Sequence, residues 1–113
     1  MTLLQQVQTI RLEFENQSIS DTSLIALYNK YTSVPDPKAF VRISKNIFPR
    51  GNCGLATLYL KEKLNGKLIQ GKYKDNPHTF LLYNEQIIDI TADQFGGPKV
   101  YIGPMVEPWT TEV

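Results

Sequence analysis

The chain has 113 residues, of which 42% are hydrophobic and 20% charged, and a net charge of +1. This is the composition of a globular protein of single-domain size, and its near-neutral charge sets up no field toward nucleic acid or an anionic membrane. No stretch approaches the ~18 consecutive apolar residues that span a bilayer. The N-terminus lacks the basic start and apolar run of a secretory signal. The single cysteine excludes an internal disulfide and fits a reducing compartment or a thiol kept free for use.

Leu3, Val7, Ile10 and Phe14 recur at three- and four-residue steps with glutamines and glutamates between them, which predicts an amphipathic helix over residues 2–16. Asp21 or Thr22 can cap a second helix whose buried side carries Leu24, Ile25, Tyr28 and Tyr31. Pro35-Asp36-Pro37 forces an irregular connection. Residues 38–50 are ambiguous, with Phe40, Ile43 and Ile47 at helical spacing and Pro49 as a stop. Gly51-Asn52-Cys53-Gly54 then opens a strongly helical run that begins apolar and ends at Asn65-Gly66.

Beyond Gly66 the period changes. Residues 68–73 read as a strand and Asp75-Asn76-Pro77 as a turn. Residues 78–83 and 86–91 read as a hairpin around Asn84-Glu85, and residues 100–102 as a last short strand. Helices followed by a small antiparallel sheet make an α+β arrangement. The helical part covers residues 1–44, and the remainder, residues 45–113, forms the core of one domain.

Cys53 begins the central helix, where unpaired N–H groups and the positive dipole end favour a thiolate. Asn52 is a plausible cap. Its side chain and the Cys53 backbone N–H are candidate donors to an oxyanion. A two-residue turn at Asn84-Glu85 pairs Tyr83 with Gln86, Leu82 with Ile87, Phe80 with Asp89 and His78 with Thr91. His78 and Asp89 then share a face as diagonal neighbours, their Cα atoms ~7–8 Å apart. Phe80, Leu82 and Ile87 share that face, which is expected to pack on the helix bearing Cys53. A carboxylate within Ile87-Ile88-Asp89-Ile90 needs a partner, and an imidazolium would supply one. Asp93 and Gln94 are weaker candidates for the orienting role. A thiol, a base and a group that holds the base suit covalent acyl transfer. One cysteine and one histidine do not give a metal site its usual ligand spacing, and no cofactor motif is present.

Cysteine opening a helix, histidine opening a strand and an acid on the next strand is the order of papain-like cysteine peptidases. Gly51-Asn52-Cys53-Gly54, Pro77-His78-Thr79-Phe80 and the segment from Ile87 to Phe95 resemble in particular the minimal bacterial papain-fold domains: peptidases, amidases and toxin domains that deamidate glutamine. The resemblance covers residues 45–103, and residues 1–44 have no counterpart in it. It implies a central cysteine-bearing helix packed on a small antiparallel sheet, with Cys53 as nucleophile, His78 as base and Asp89 as orienting residue. The papain pattern places an oxyanion glutamine shortly before the cysteine. None stands between Gln17 and Cys53, so Asn52 or backbone donors take that part.

The expected function is therefore a thiol hydrolase acting on a peptide bond or a protein glutamine side chain. Its partners would be a protein or peptide substrate and an inhibitor or immunity protein. Its place would be the cytoplasm, or a target cell into which it is delivered as an effector domain. The competing expectation is a catalytically inactive papain-fold interaction module that binds through a surface aromatic such as Trp109.

Overall fold

Thr2 opens the first helix with a reciprocal cap. Its hydroxyl accepts from the Gln5 backbone N–H at 3.1 Å, and the Gln5 side chain accepts from the Thr2 N–H at 2.9 Å. In the computed structural model, which describes residues 1–33 and 35–111, this helix is α1, Leu3–Glu15. The second helix, α2, spans Asp21–Tyr31. Its cap is Ser20, whose hydroxyl accepts from the Ser23 N–H, and neither Asp21 nor Thr22 caps it. The ambiguous segment is helical: α3 runs Pro37–Ile47, capped by Asp36, with Pro37 in the first turn, where a missing N–H costs nothing.

The central helix, α4, spans Cys53–Leu64. Six consecutive residues, Leu55 to Leu60, are buried, so α4 is enclosed on all sides through its middle turns. Val7, Ile10 and Phe14 of α1, Leu24 and Leu27 of α2, and Val41 of α3 pack with it in one cluster. Fully burying a leucine such as Leu55 or Leu60 contributes ~1.5–3 kcal/mol, so these contacts hold the four helices together.

Among the described residues five antiparallel strands follow: β1 Lys67–Tyr73, β2 Asn76–Tyr83, β3 Gln86–Asp89, β4 Tyr101–Gly103 and β5 Trp109–Thr110. Their order is β4-β3-β2-β1-β5, so the molecule is α+β. A short 3-10 turn, Ala92–Phe95, follows β3. The expected turn at 75–77 lies earlier, because Asn76 and Pro77 already pair with Tyr73 and Lys72 in the ladder. The terminal pair β5 was not foreseen from the sequence. It pairs with β1 at Lys72 and Tyr73, and the Thr110 carbonyl oxygen lies so close to Gly71 that a Cβ there would clash with it.

The hairpin register is the one that parity demands: Tyr83 faces Gln86 and Leu82 faces Ile87. Asn84 and Glu85 take φ of 48° and 64°, the left-handed pair that matches the twist of a two-residue hairpin. The packing partners of the two faces are the reverse of the expectation. Leu81, Ile88 and Ile90 cover α4. Phe80, Ile87 and Leu82 lie in a second cluster with Tyr73, Ala92, Phe95, Tyr101 and Trp109. Alternation fixes which residues share a face but not which face meets the helix.

Candidate active site

Cys53 is the first residue of α4, reached through a turn in which Gly51 takes φ 68°. Asn52 precedes it but does not cap the helix with its side chain. Its Nδ2 donates to the Ser44 carbonyl at 2.7 Å and to the Arg50 carbonyl at 2.9 Å, and the residue is wholly buried. Both amide hydrogens are thus committed to holding the 44–52 segment. The side chain expected to face an oxyanion is a brace for the loop that presents Cys53. Cys53 is itself partly exposed.

The start of β2 lies against the first turns of α4, where the Thr57 hydroxyl donates to the Thr79 carbonyl at 3.2 Å. His78, one residue earlier, is 2% exposed. Its Nε2 stands 2.6 Å from Asp89 Oδ2. Its Nδ1 is buried with no hydrogen-bond partner among the described residues. Burial pushes the imidazole toward its neutral form. The hydrogen bond to Asp89, the nearness of the Cys53 sulfur and the charges of both outweigh it, raising His78 to about 9. Burial likewise pushes the Cys53 thiol up, but the nearby His78 imidazolium and Thr79 hold it below its ordinary value. With Nε2 on Asp89, Nδ1 is the ring atom left for the thiol.

Asp89 is buried and fully engaged. Oδ1 accepts from the Thr91 N–H at 2.9 Å, and Oδ2 accepts from Trp109 Nε1 at 2.8 Å besides meeting His78. The carboxylate therefore has the partners its burial requires. Trp109 is 5% exposed and stacks on Tyr101 with centroids 4.0 Å apart. It is not the surface aromatic the interaction-module expectation needs; it shields Asp89 from water. The edges of Phe95 and Tyr73 close the imidazole at 5.2 and 6.2 Å. Excluding water strengthens each of these polar contacts.

Asp93 and Gln94 are elsewhere. Asp93 takes a two-pronged ion pair from Arg11 of α1, at 2.7 and 2.8 Å. Arg11 also donates to Glu15 at 2.7 Å and to the Ile90 carbonyl at 2.7 Å. The Gln94 side-chain Oε1 accepts from the Gly51 N–H at 3.2 Å, which leaves Nε2 buried with no partner among the described residues. A free amide donor thus stands beside the loop that delivers Cys53. The orienting part given to Gln94 in the sequence reading is one its contacts do not serve, since it does not touch His78 among the bonds described.

The sequence reading missed Trp109 as the donor to Asp89 and Arg11 as the clamp on the turn after β3. Arg11 left a signal, since it sits within the apolar stripe of Val7, Ile10 and Phe14. Among the described residues, no three His, Cys, Asp or Glu side chains are grouped to hold a metal ion. No described helix is long and apolar enough to cross a membrane. A family model described as YunG protein matches residues 17–111. No curated protein and no solved structure matches the chain.

Proposed function

The chain belongs to the YunG protein family, whose description names no reaction, and from the site alone we propose that it is a papain-like cysteine hydrolase of amide bonds. The observation that carries this reading is the row Cys53, His78, Asp89. A thiol at a helix start is near enough to a buried imidazole for each to shift the other's ionisation, and that imidazole has its Nε2 fixed by a carboxylate 2.6 Å away and its Nδ1 without a hydrogen bond among the described residues.

In this mechanism the Cys53 thiolate attacks the carbonyl carbon of the amide and its C=O electrons move onto oxygen. The Cys53 backbone N–H at the helix start and Gln94 Nε2 are the donors for that oxyanion. As the intermediate collapses, the C–N bond breaks and the proton on His78 Nδ1 goes to the leaving nitrogen. A thioester remains. Water then attacks it while His78 takes one of the water's protons, the C–S bond breaks to restore the thiolate, and the carboxylic acid leaves, losing its proton to solvent. Asp89 keeps Nε2 protonated throughout, so that Nδ1 is the nitrogen that gives and takes the proton. The leaving nitrogen is either the amine of a cleaved peptide or ammonia from a glutamine side chain.

The test uses p-nitrophenyl acetate as an acyl donor and intact mass as the readout. The thiolate gains an acetyl group and p-nitrophenolate leaves. Acetylation at Cys53, absent in Cys53→Ala, is the expected result. A wild-type protein that neither carries the acetyl group nor releases p-nitrophenolate faster than Cys53→Ala, or acetylation equal in Cys53→Ala, overturns the reading. The same mass analysis of peptides and glutamine-bearing proteins after incubation separates cleavage from deamidation and from cross-linking to an amine.

Gln94→Ala is expected to slow acetylation by about 10²-fold relative to alkylation by iodoacetamide. Alkylation is a displacement that develops no oxyanion, so the ratio of the two rates isolates the donor. An unchanged ratio removes Gln94 from the site.

A further inference from the structure

A cleft of about 370 Å³ opens beside Cys53, lined among others by Tyr28, Gly54, Leu58, Leu68 and Thr79. Three observations tie it to the thiol. Gly54 follows Cys53 in the chain and Thr79 follows His78. Thr79 stands near enough to the Cys53 sulfur to favour its thiolate. Tyr28, already held above the usual phenol range by burial, is raised further by the Cys53 charge. The outer wall, Tyr28, Tyr31 and Thr32, comes from α2 and the residue after it. These residues lie outside the segment that resembles known peptidases.

Three of the polar tips around the cleft are already occupied. The Tyr31 hydroxyl donates to Glu62 at 2.9 Å, Lys61 Nζ donates to the Gly66 carbonyl at 3.0 Å, and the Thr32 hydroxyl donates to the Tyr28 carbonyl at 2.9 Å. With these engaged, the wall is mostly ring, aliphatic stem and leucine surface, with Gln70 and the Tyr28 and Thr79 hydroxyls as its other polar groups. The volume lies at the lower end of small-ligand pockets, ~300–1,000 Å³, which suits one large side chain. At Gly54 the wall has an open seat: a Cβ there meets nothing within 4 Å.

We propose that this cleft is a specificity pocket for a peptide substrate, taking an apolar side chain of leucine to phenylalanine size next to the amide that Cys53 attacks. The proposal rests on the reading of Cys53 as an acyl-transfer nucleophile, and it narrows the substrate to peptide segments with an apolar residue beside the reacting carbonyl. The α2 helix, which brings nothing to the Cys53, His78 and Asp89 row, then has the task of choosing the substrate.

The experiment has two arms. In the first, acetyl-capped peptidyl acyloxymethyl ketones carrying Phe or Asp next to the reactive carbon are offered to the protein. The thiolate forms an S–C bond as the carboxylate leaves, and intact mass follows the rate. The Phe label is expected to react at least about tenfold faster than the Asp label. Gly54→Phe fills the open seat from a helical position with ordinary backbone angles, and is expected to bring that ratio close to one. An Asp preference, or a Phe preference that survives Gly54→Phe, overturns the proposal. In the second arm the Cys53→Ala protein, which has no nucleophile, is titrated with the acetyl-Phe amide and followed by backbone amide NMR. Shifts centred on Gly54, Leu58, Leu68 and Thr79 are expected, and their absence overturns the pocket however fast labelling proves. Shifts on Cys53→Ala together with an unreactive wild-type thiol keep the pocket and overturn the nucleophile instead.

Discussion

Replacing His78 by alanine is expected to move the alkylation midpoint of Cys53 above the free-thiol value of ~8.5 and to slow acyl transfer by about 10²–10⁴-fold. Burial is the largest influence on the thiol and acts to raise it; it is outweighed by the nearby His78 imidazolium and by Thr79. Without His78 the burial remains and most of the opposition to it is gone.

In the wild-type protein the thiol ionises below its ordinary value while the imidazole keeps its proton up to about 9. Between those limits the site is a thiolate–imidazolium pair. Alkylation should rise at the lower limit and stay high. Acyl transfer should rise there too, then fall near pH 9 as His78 loses the proton the leaving nitrogen needs. The two limbs belong to the coupled pair. Asp89→Asn removes the largest influence holding the imidazolium together, so the alkaline limb should move down in pH, with a smaller upward move of the acid limb. The stability signs follow from the same shifts. The raised His78 value adds stability that is complete below its unfolded value of ~6.5 and is lost as pH climbs through about 9. The depressed Cys53 value adds stability above the free-thiol value that is lost as pH falls through the folded one. An alkylation profile the same in wild type and His78→Ala means the two residues do not interact.

Arg11→Ala should cost about 3–5 kcal/mol of folding stability, as removal of one member of a buried ion pair does. The Arg11 side chain is 7% exposed and that of Asp93 is 17% exposed. The guanidinium serves Asp93 through two nitrogens, Glu15 through its Nε, and the Ile90 carbonyl, which is the strand's exit toward the 3-10 turn. It also lies 4.7 Å over the Phe48 ring. Alanine leaves the Asp93 carboxylate partly buried beside an unpaired carbonyl. Arg11→Lys should recover only part of the loss, because an ammonium cannot reproduce the planar two-pronged contact. Arg11→Met with Asp93→Leu should recover more, since no charge is then left without its partner. Urea unfolding of the four proteins checks this. A loss below about 1 kcal/mol for Arg11→Ala would assign the pair the small worth of a solvent-exposed one.

The hairpin shows how far local chemistry reaches. Asn84-Glu85 between two β-branched and aromatic runs sets a two-residue turn, and the turn sets register. Tyr83 to Gln86 and Leu82 to Ile87 then follow from parity, and with them the approach of His78 to Asp89. The helices were equally legible where a periodic apolar stripe met a cap, as in α1. They were less so at α3, where Pro37 reads as a breaker although it occupies the first turn, the one place in a helix that accepts it.

By itself the sequence determined the periods, the turn, and the lone thiol at a helix start, because each depends on neighbours a few residues apart. The tertiary structure alone decided which face of the sheet met α4. Alternation gives two faces, and only the packing of Leu81 and Ile88 against Leu55 and Leu58, with Trp109 claiming the other side, chooses between them. It also decided where the polar atoms of Asn52, Asp93 and Gln94 were used. Their partners lie at Ser44 and Arg50, Arg11, and Gly51. Apart from Arg50, those partners are separated from them by between eight and 82 residues. No periodicity records a hydrogen bond that forms only when the chain has closed such a loop.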